Sequence, residues 1–372
     1  MKPTPTLFRH LNLVAAVLIL SWCHSNVAHA DSLTERTNRG VVELLTSGDP
    51  ASIEMAQDLA SVIDDGATRR LVPVVGHGAV DGLIDLKVLH GIDLTITQTD
   101  VLNYAKQRQT PPAIETVTYI ARLYNEELHV LARRDITRIQ DLNNKKVDFA
   151  GGARITGPAV LSLLNVNVNP VFDNHAEALR KLISGDAAAL VYVAAKPTPL
   201  FAGMTSGEGF HFLTVPITPA LAKTYIPAQL TQADYPNLVP ADEPVDTVAV
   251  GTALIVANLQ PGTIRYNNVS NFVDAFFTLF SRLQEAPHHP KWKTVNLTAQ
   301  LSGWTRFGPA ATWLQRNVVA KAAPVSNTDL RQIFNEFLDQ RSKVNGGQPL
   351  TQQEKDQLFD QFVRWQQGAQ AR

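Results

Sequence analysis

Two periodicities alternate along this chain. Short runs dominated by apolar residues, Val41 to Leu45, Leu71 to Val75, Ile92 to Ile96 and Lys146 to Phe149, read as buried strands. Between them apolar residues recur at helical spacing: Ile53, Ala56, Leu59, Ala60 and Ile63, then Val80, Leu83, Ile84 and Val88, then Val160, Leu163 and Leu164. Glycine-bearing loops join strand to helix, at Thr46-Ser47-Gly48-Asp49-Pro50, Gly76-His77-Gly78 and Ala150-Gly151-Gly152-Ala153-Arg154. Repetition of strand, loop and helix predicts an α/β protein with mostly parallel sheets covered by helices.

Two longer apolar strands, Glu127 to Ala132 and Val245 to Val256, bracket a middle section with its own helix, Ala176 to Ile183 capped by Asn174, and its own buried strand, Ala187 to Ala194. This arrangement predicts two lobes joined by two crossings that act as a hinge: residues 31–128 with 246–286, and residues 129–245. A helix from Val269 to Leu283 closes the two-lobed body, and Pro287-His288-His289-Pro290 breaks the chain. The remainder, 287–372, carries Trp292, Trp304, Trp313 and Trp365. Leu330, Ile333, Phe334, Phe337 and Leu338 mark one amphipathic helix there, and Thr351-Gln352-Gln353-Glu354 is a capping box ahead of Leu358, Phe359 and Phe362. Such an extension is expected to bury its aromatic residues on the first lobe; the other reading is a docking surface for a membrane partner.

The 372 residues suffice for two lobes with a buried core. Lys2 and Arg9, the apolar run Leu11 to Leu20 and Ala28-His29-Ala30 have the order of a cleaved signal peptide, so residues 1–30 are expected to be removed on export to the periplasm. The one cysteine, Cys23, falls in that leader, which leaves no thiol chemistry in the mature chain. Formal net charge is −1 for the whole chain and −3 once Lys2 and Arg9 are gone. Its basic residues are scattered, so nucleic acid is not an expected partner.

Chemistry concentrates at the strand ends. In open α/β sheets ligands bind beyond the carboxyl ends of the strands, and glycine loops there turn backbone N–H groups and helix N-termini toward an anion. Gly78 and His77 occupy one such loop; Gln98 and Asp100 stand just past another strand. His77 is either a ligand sensor or a solvated loop residue, and Asp100 either touches ligand or caps the helix that begins at Val101. The adjacent His288 and His289 lack metal-ligand spacing, and neither a Gly-x-Ser-x-Gly elbow nor a Gly-Lys-Ser phosphate loop is present. Neither a metal nor a cofactor is expected, and nothing points to catalysis.

Four segments in order, Gln98-Thr99-Asp100, Leu123-Tyr124-Asn125-Glu126, Tyr192-Val193-Ala194 with Pro197 and Pro199, and Thr247-Val248-Ala249-Val250, resemble the TAXI (TRAP-associated extracytoplasmic) solute-binding proteins. The resemblance runs from about Val41 to Gln284. It implies a two-lobed periplasmic binding protein fold of type II and the capture of a small organic acid or amino acid, with Gln98, Tyr124, Tyr192 and Pro199 at the cleft.

Three departures stand out. The first loop reads Ser47-Gly48-Asp49-Pro50 where the family has a Gly- and Thr-rich loop ending in tyrosines, Ala79 stands where serine is usual, and Gly151-Gly152-Ala153-Arg154-Ile155-Thr156 replaces a Gly-Ser-Gly-Thr cradle. Hydroxyl donors are lost, and Arg154 offers a planar bidentate grip on a carboxylate instead, with Thr156 beside it. Asp49 either meets a ligand amine or pairs with Arg154 in a salt bridge. Tyr124 and Tyr192 either line the cleft or pack the hinge. The implied role is an exported, monomeric binding protein that hands its ligand to an integral-membrane transporter. A sensor presenting its closed form to a receptor kinase is the alternative, and an enzyme on the same fold the remote one.

Overall fold

The computed structural model describes residues 39–319, 331, 334–335 and 351–360. The leader, Trp365 and most of the amphipathic stretch 330–338 lie outside the described residues. Strand β1 (Val41–Thr46), helix α1 (Pro50–Ile63), strand β2 (Arg70–Val75), helix α2 (Ala79–Val88) and strand β3 (Ile92–Gln98) follow the order that the hydrophobic pattern predicts. β1 lies between β2 and β3 and runs parallel to both. Helix α3 (Thr99–Arg108) begins where β3 ends, with Gln98 in extended conformation as its cap residue and no intervening loop. Pro50 at the first helical position of α1 and Asp49 before it explain that helix start: proline lacks the N–H that would go unpaired, and the Asp49 carboxylate accepts from Ser52 N at 3.0 Å.

The second half repeats the plan. After the long strand β4 (Thr118–Arg133) come β5 (Lys146–Gly151), α4 (Ala153–Leu163), β6 (Asn169–Val171), α5 (His175–Ser184) and β7 (Ala189–Ala194), with β5 parallel to both β6 and β7. Asn174 caps α5 as expected, accepting from Glu177 N at 3.0 Å. Short strands β8 (Phe210–Phe212) and β9 (Ile226–Leu230) lead to β10 (Val245–Val256) and the final long helix α6 (Ile264–Leu283). β4 starts nine positions earlier than its apolar run, at Thr118, because Arg122, Asn125, Glu126 and Glu127 interrupt the pattern although most of the strand is buried.

One sheet, not two, results. Its order is β2-β1-β3-β10-β4-β7-β5-β6, with β8 on β4 and β9 on β10. β4 pairs with β10 up to Glu127 and with β7 from Glu127 onward, while β10 pairs with β9 through Ala249 and with β3 from Thr252. Both long strands therefore pass from one lobe to the other close to Glu127 and Ala249, and a sheet expected in each lobe becomes continuous. Within each lobe the order is second, first, third, then the two long strands, which is the two-lobed α/β plan of the type II periplasmic binding fold. Separate apolar cores lie on either side, one around Leu83, Leu102 and Ile255, the other around Phe149, Leu161 and Val191.

The chain beyond α6 returns to β4. A turn at Pro290–Thr294 places the fully buried Trp292 edge-on to Tyr124 at 5.8 Å and to Phe280 at 6.3 Å, and its indole N–H donates to Asp58 at 2.9 Å. Tyr119 exchanges backbone hydrogen bonds with Thr305 and Phe307. The first compact unit consequently extends to Ala311, and the division falls at Thr312, not at Pro287. In the second unit, Thr351 and Glu354 form the expected capping box, and Arg331 lies over the Phe359 ring while pairing with Asp356 at 2.8 Å.

Candidate functional site

The loops that leave β1, β2, β5 and β6 at their carboxyl ends converge on one cavity of about 440 Å³ between the lobes. From the first lobe come Ser47, Gly48 and Asp49, then His77 and Gly78; from the second come Gly151 and Arg154, then Phe172 to His175. These loops meet because parallel strands all end on the same side of the sheet, each followed by a helix that packs back onto it. The structure thus gathers Ser47, Gly48, Asp49, His77, Gly78 and Arg154, drawn from three separate loops, around a single space. Gly78 sits at φ 126° as the cap residue of α2, a conformation open to glycine and costly for residues with a side chain.

Charges in the cavity differ in how far they are already engaged. Asp49 is spent: it caps α1 through Ser52 N and accepts from the Ser47 hydroxyl. No ion pair joins it to Arg154, which corrects the salt-bridge expectation for this residue. Asp173 is bound by Lys181, whose ammonium holds its carboxyl below the usual range, and its backbone N–H donates to Asp148 at 3.1 Å. Burial pushes Asp148 itself up to about 6. Arg154 is exposed, with its guanidinium carbon 5.7 Å from the centre of the Phe172 ring, and among the described residues neither Arg154 nor Asp81 has an ion-pair partner. One cation and one anion at the junction of the two lobes are therefore free to meet a ligand.

The remaining candidates have other work. Asp100 accepts from the Thr156 hydroxyl at 2.8 Å and from the Tyr225 hydroxyl at 3.0 Å, so two residues expected at the ligand instead join the lobes. Asp100 is also the second residue of α3 and not its cap. Burial raises the pKa of Asp100, although these hydrogen bonds pull it back down. Gln98 is buried behind Gly152 and donates to Glu126 at 2.7 Å. Burial and the nearby Asp49 raise Glu126 to about 8, so it holds its proton at neutral pH. Tyr124 belongs to the core under Trp292, and Tyr192 stands behind Gly151 with its ring against Phe201 at 5.8 Å. Pro199 is exposed at the start of the helical turn Pro199–Ala202.

Sequence reasoning passed over Phe172, Asp173 and His175 because β6 is only three residues long and weakly apolar. The usable signal was Asn174, already read as a helix cap: a cap just after a strand in this fold marks a strand end that faces the cleft. Asp81 was missed because it reads as an ordinary acidic residue in a helix's first turn.

A second hollow of about 600 Å³ adjoins the first and shares Gly78, Asp81, Arg154 and Phe172 with it. Among the described residues no group of His, Cys, Asp and Glu is placed to hold a metal ion, and no helix is long and apolar enough to cross a membrane.

No protein-family model matches the chain, and no curated protein matches it either. Solved structures similar to it include the periplasmic binding protein BugD, at 13% identity over 69% of this chain and 88% of that one with a TM-score of 0.45. The substrate binding protein of an amino acid ABC transporter is 14% identical over 68% of this chain and 96% of its own, with a TM-score of 0.40. The arginine-bound form of truncated ArgBP from T. maritima is 15% identical over 67% and 99%, also with a TM-score of 0.40. Identities this low carry no statement about ligand or partner from those proteins to this chain.

Proposed function

We propose that this chain is an exported solute-binding protein that closes its lobes on a small organic acid or amino acid and delivers it, chemically unchanged, to an integral-membrane transporter. The observation that carries this reading is the cavity built from loops of both lobes around the uncommitted guanidinium of Arg154. A carboxylate in that space meets a bidentate donor from the second lobe and the α2 N-terminus at Gly78 from the first. Only a closed molecule presents both, so binding free energy favours closure. Asp81 supplies the acceptor that an α-amino group needs and separates the amino acid from the plain acid. Delivery to a transporter of the TRAP type follows from the four segments that resemble TAXI proteins.

The test is calorimetric titration of the protein with a panel of organic acids and amino acids, with mass spectrometry of the recovered compound. Arg154→Ala is expected to weaken binding of every acid by about 1.5 to 3 kcal/mol, the range of a charge-assisted hydrogen bond, and to leave the melting temperature of the ligand-free protein nearly unchanged. Unaltered affinity removes Arg154 from the site, and recovery of a converted compound replaces capture with catalysis.

A further inference from the structure

The second hollow is longer than a small carboxylate requires. Its lobe-1 wall is the start of α2, with Gly78, Val80 and Asp81, and one face of α3, on which Val101, Tyr104 and Arg108 recur three and four residues apart. At about 1.5 Å of rise per residue, Arg108 lies roughly 10 Å along the helix from Val101. Its opposite wall is the start of α4, with Gly152, Arg154 and Ile155, and Phe172 beside them. Arg108 is placed over the Tyr104 ring at 5.6 Å, much as Arg154 is placed over Phe172 at 5.7 Å, and Arg108 likewise has no ion-pair partner among the described residues. Two guanidinium groups, each laid on an aromatic ring, thus flank one hollow with apolar side chains between them. Phe172 is left 44% exposed and Tyr104 36%, so part of each ring stays open to the hollow beside its guanidinium.

We propose that the ligand is an elongated organic acid with two anionic ends: one carboxylate at Arg154, an apolar segment along Val101, Tyr104 and Phe172, and a second anionic group at Arg108. This rests on the reading of Arg154 as the anchor of the first carboxylate. At about 600 Å³ the second hollow by itself has the capacity of a drug-sized ligand site, which runs from about 300 to 1,000 Å³. Arg108 also stands in the last turn of α3, where any cation favours the helix dipole. A role confined to the dipole affects folding stability by about 0.3 to 1 kcal/mol and does not discriminate between ligands, so affinity tells the two apart.

The experiment is titration calorimetry of the full chain with octanedioate and octanoate, each also as its 2-amino derivative, on the unaltered protein, Arg108→Ala and Arg154→Ala. The diacid is expected to bind at least about tenfold more tightly than its matched monoacid, a factor equal to about 1.4 kcal/mol. Arg108→Ala should bring the diacid down to the level of the monoacid, and Arg154→Ala should weaken both. Equal binding of diacid and monoacid, or a diacid preference that survives Arg108→Ala, overturns the second anionic contact while a loss in Arg154→Ala leaves the site reading standing. Absence of binding by all four compounds, or affinities indifferent to Arg154→Ala, overturns the anchor and the elongated ligand together.

Discussion

The Thr156 hydroxyl on α4 donates to the Asp100 carboxylate on α3 at 2.8 Å, and this buried hydrogen bond fastens one lobe to the other. Its acceptor is shared with Tyr225 at 3.0 Å, also from the second lobe. Closure is thereby assisted from inside the protein, before any ligand bridges the cleft.

Thr156→Val removes the donor at constant volume. Asp100 keeps Tyr225, so the fold should survive, but the closed form loses about 1 to 3 kcal/mol, and ligand Kd should rise by up to roughly 5- to 150-fold. Small-angle scattering of the ligand-free protein should show a larger radius of gyration. A variant with unaltered Kd and unaltered scattering shows that the latch contributes nothing to closure.

Gly152 tests the same interface by crowding it. A methyl group added there comes within 2.2 Å of Gln98 Nε2 in the other lobe and 2.9 Å of Val193 O in its own. Since Gly152 has an ordinary helical φ of −67°, the obstacle is contact and not backbone strain. Gly152→Ala is expected to hold the lobes apart and to cost more in affinity than in melting temperature. Equal affinity in titration would refute a tight fit between the lobes at this point.

Stability should pass through a plateau with pH. Burial raises Glu126 from 4.5 to about 8 and lowers His129 from 6.5 to about 3, with opposite consequences. Above pH 4.5 the unfolded chain gives up a Glu126 proton that the folded chain keeps until about 8, so stability falls as pH rises. Below pH 6.5 the unfolded chain gains a His129 proton that the folded chain refuses down to about 3, so stability falls as pH drops. The two effects cancel between 4.5 and 6.5, and each limb beyond changes by up to about 1.4 kcal/mol per pH unit. Asp100 and Glu127, also raised by burial, act in the same sense as Glu126 and tilt this plateau toward falling stability as pH rises. Urea unfolding across this range should show Glu126→Gln with a shallower alkaline limb and an unchanged acid limb; an unaltered alkaline slope means Glu126 is ionised in the folded protein.

Lys291 and Glu127 form a buried ion pair where β4 crosses between lobes. Lys291→Ala strands the carboxylate, whose other support is the Lys196 backbone N–H at 3.3 Å, and should cost about 3 to 5 kcal/mol of unfolding free energy. Glu127→Gln combined with Lys291→Met should recover most of that loss, since neither charge then remains to be desolvated. A cost under about 1 kcal/mol for Lys291→Ala, within the range of an exposed pair, would show the site to be wet.

The sequence alone determined the longer strands and helices between β1 and α6, because burial on a sheet and on a helix imprints different periods on apolar residues, whereas β6, β8 and β9 are too short to carry a period. It also placed Ser47 to Asp49, His77, Gly78 and Arg154 at one cleft, because strand ends in an α/β plan share an edge whatever the packing in detail. Partnerships among polar residues were decided only by tertiary structure. Asp49 turned to its own helix, Asp100 and Thr156 to each other, and Tyr124 to Trp292 from a distant segment, through contacts that leave no period in the chain. A hydrogen bond between residues 56 positions apart depends on how two lobes dock, and local pattern carries no record of docking.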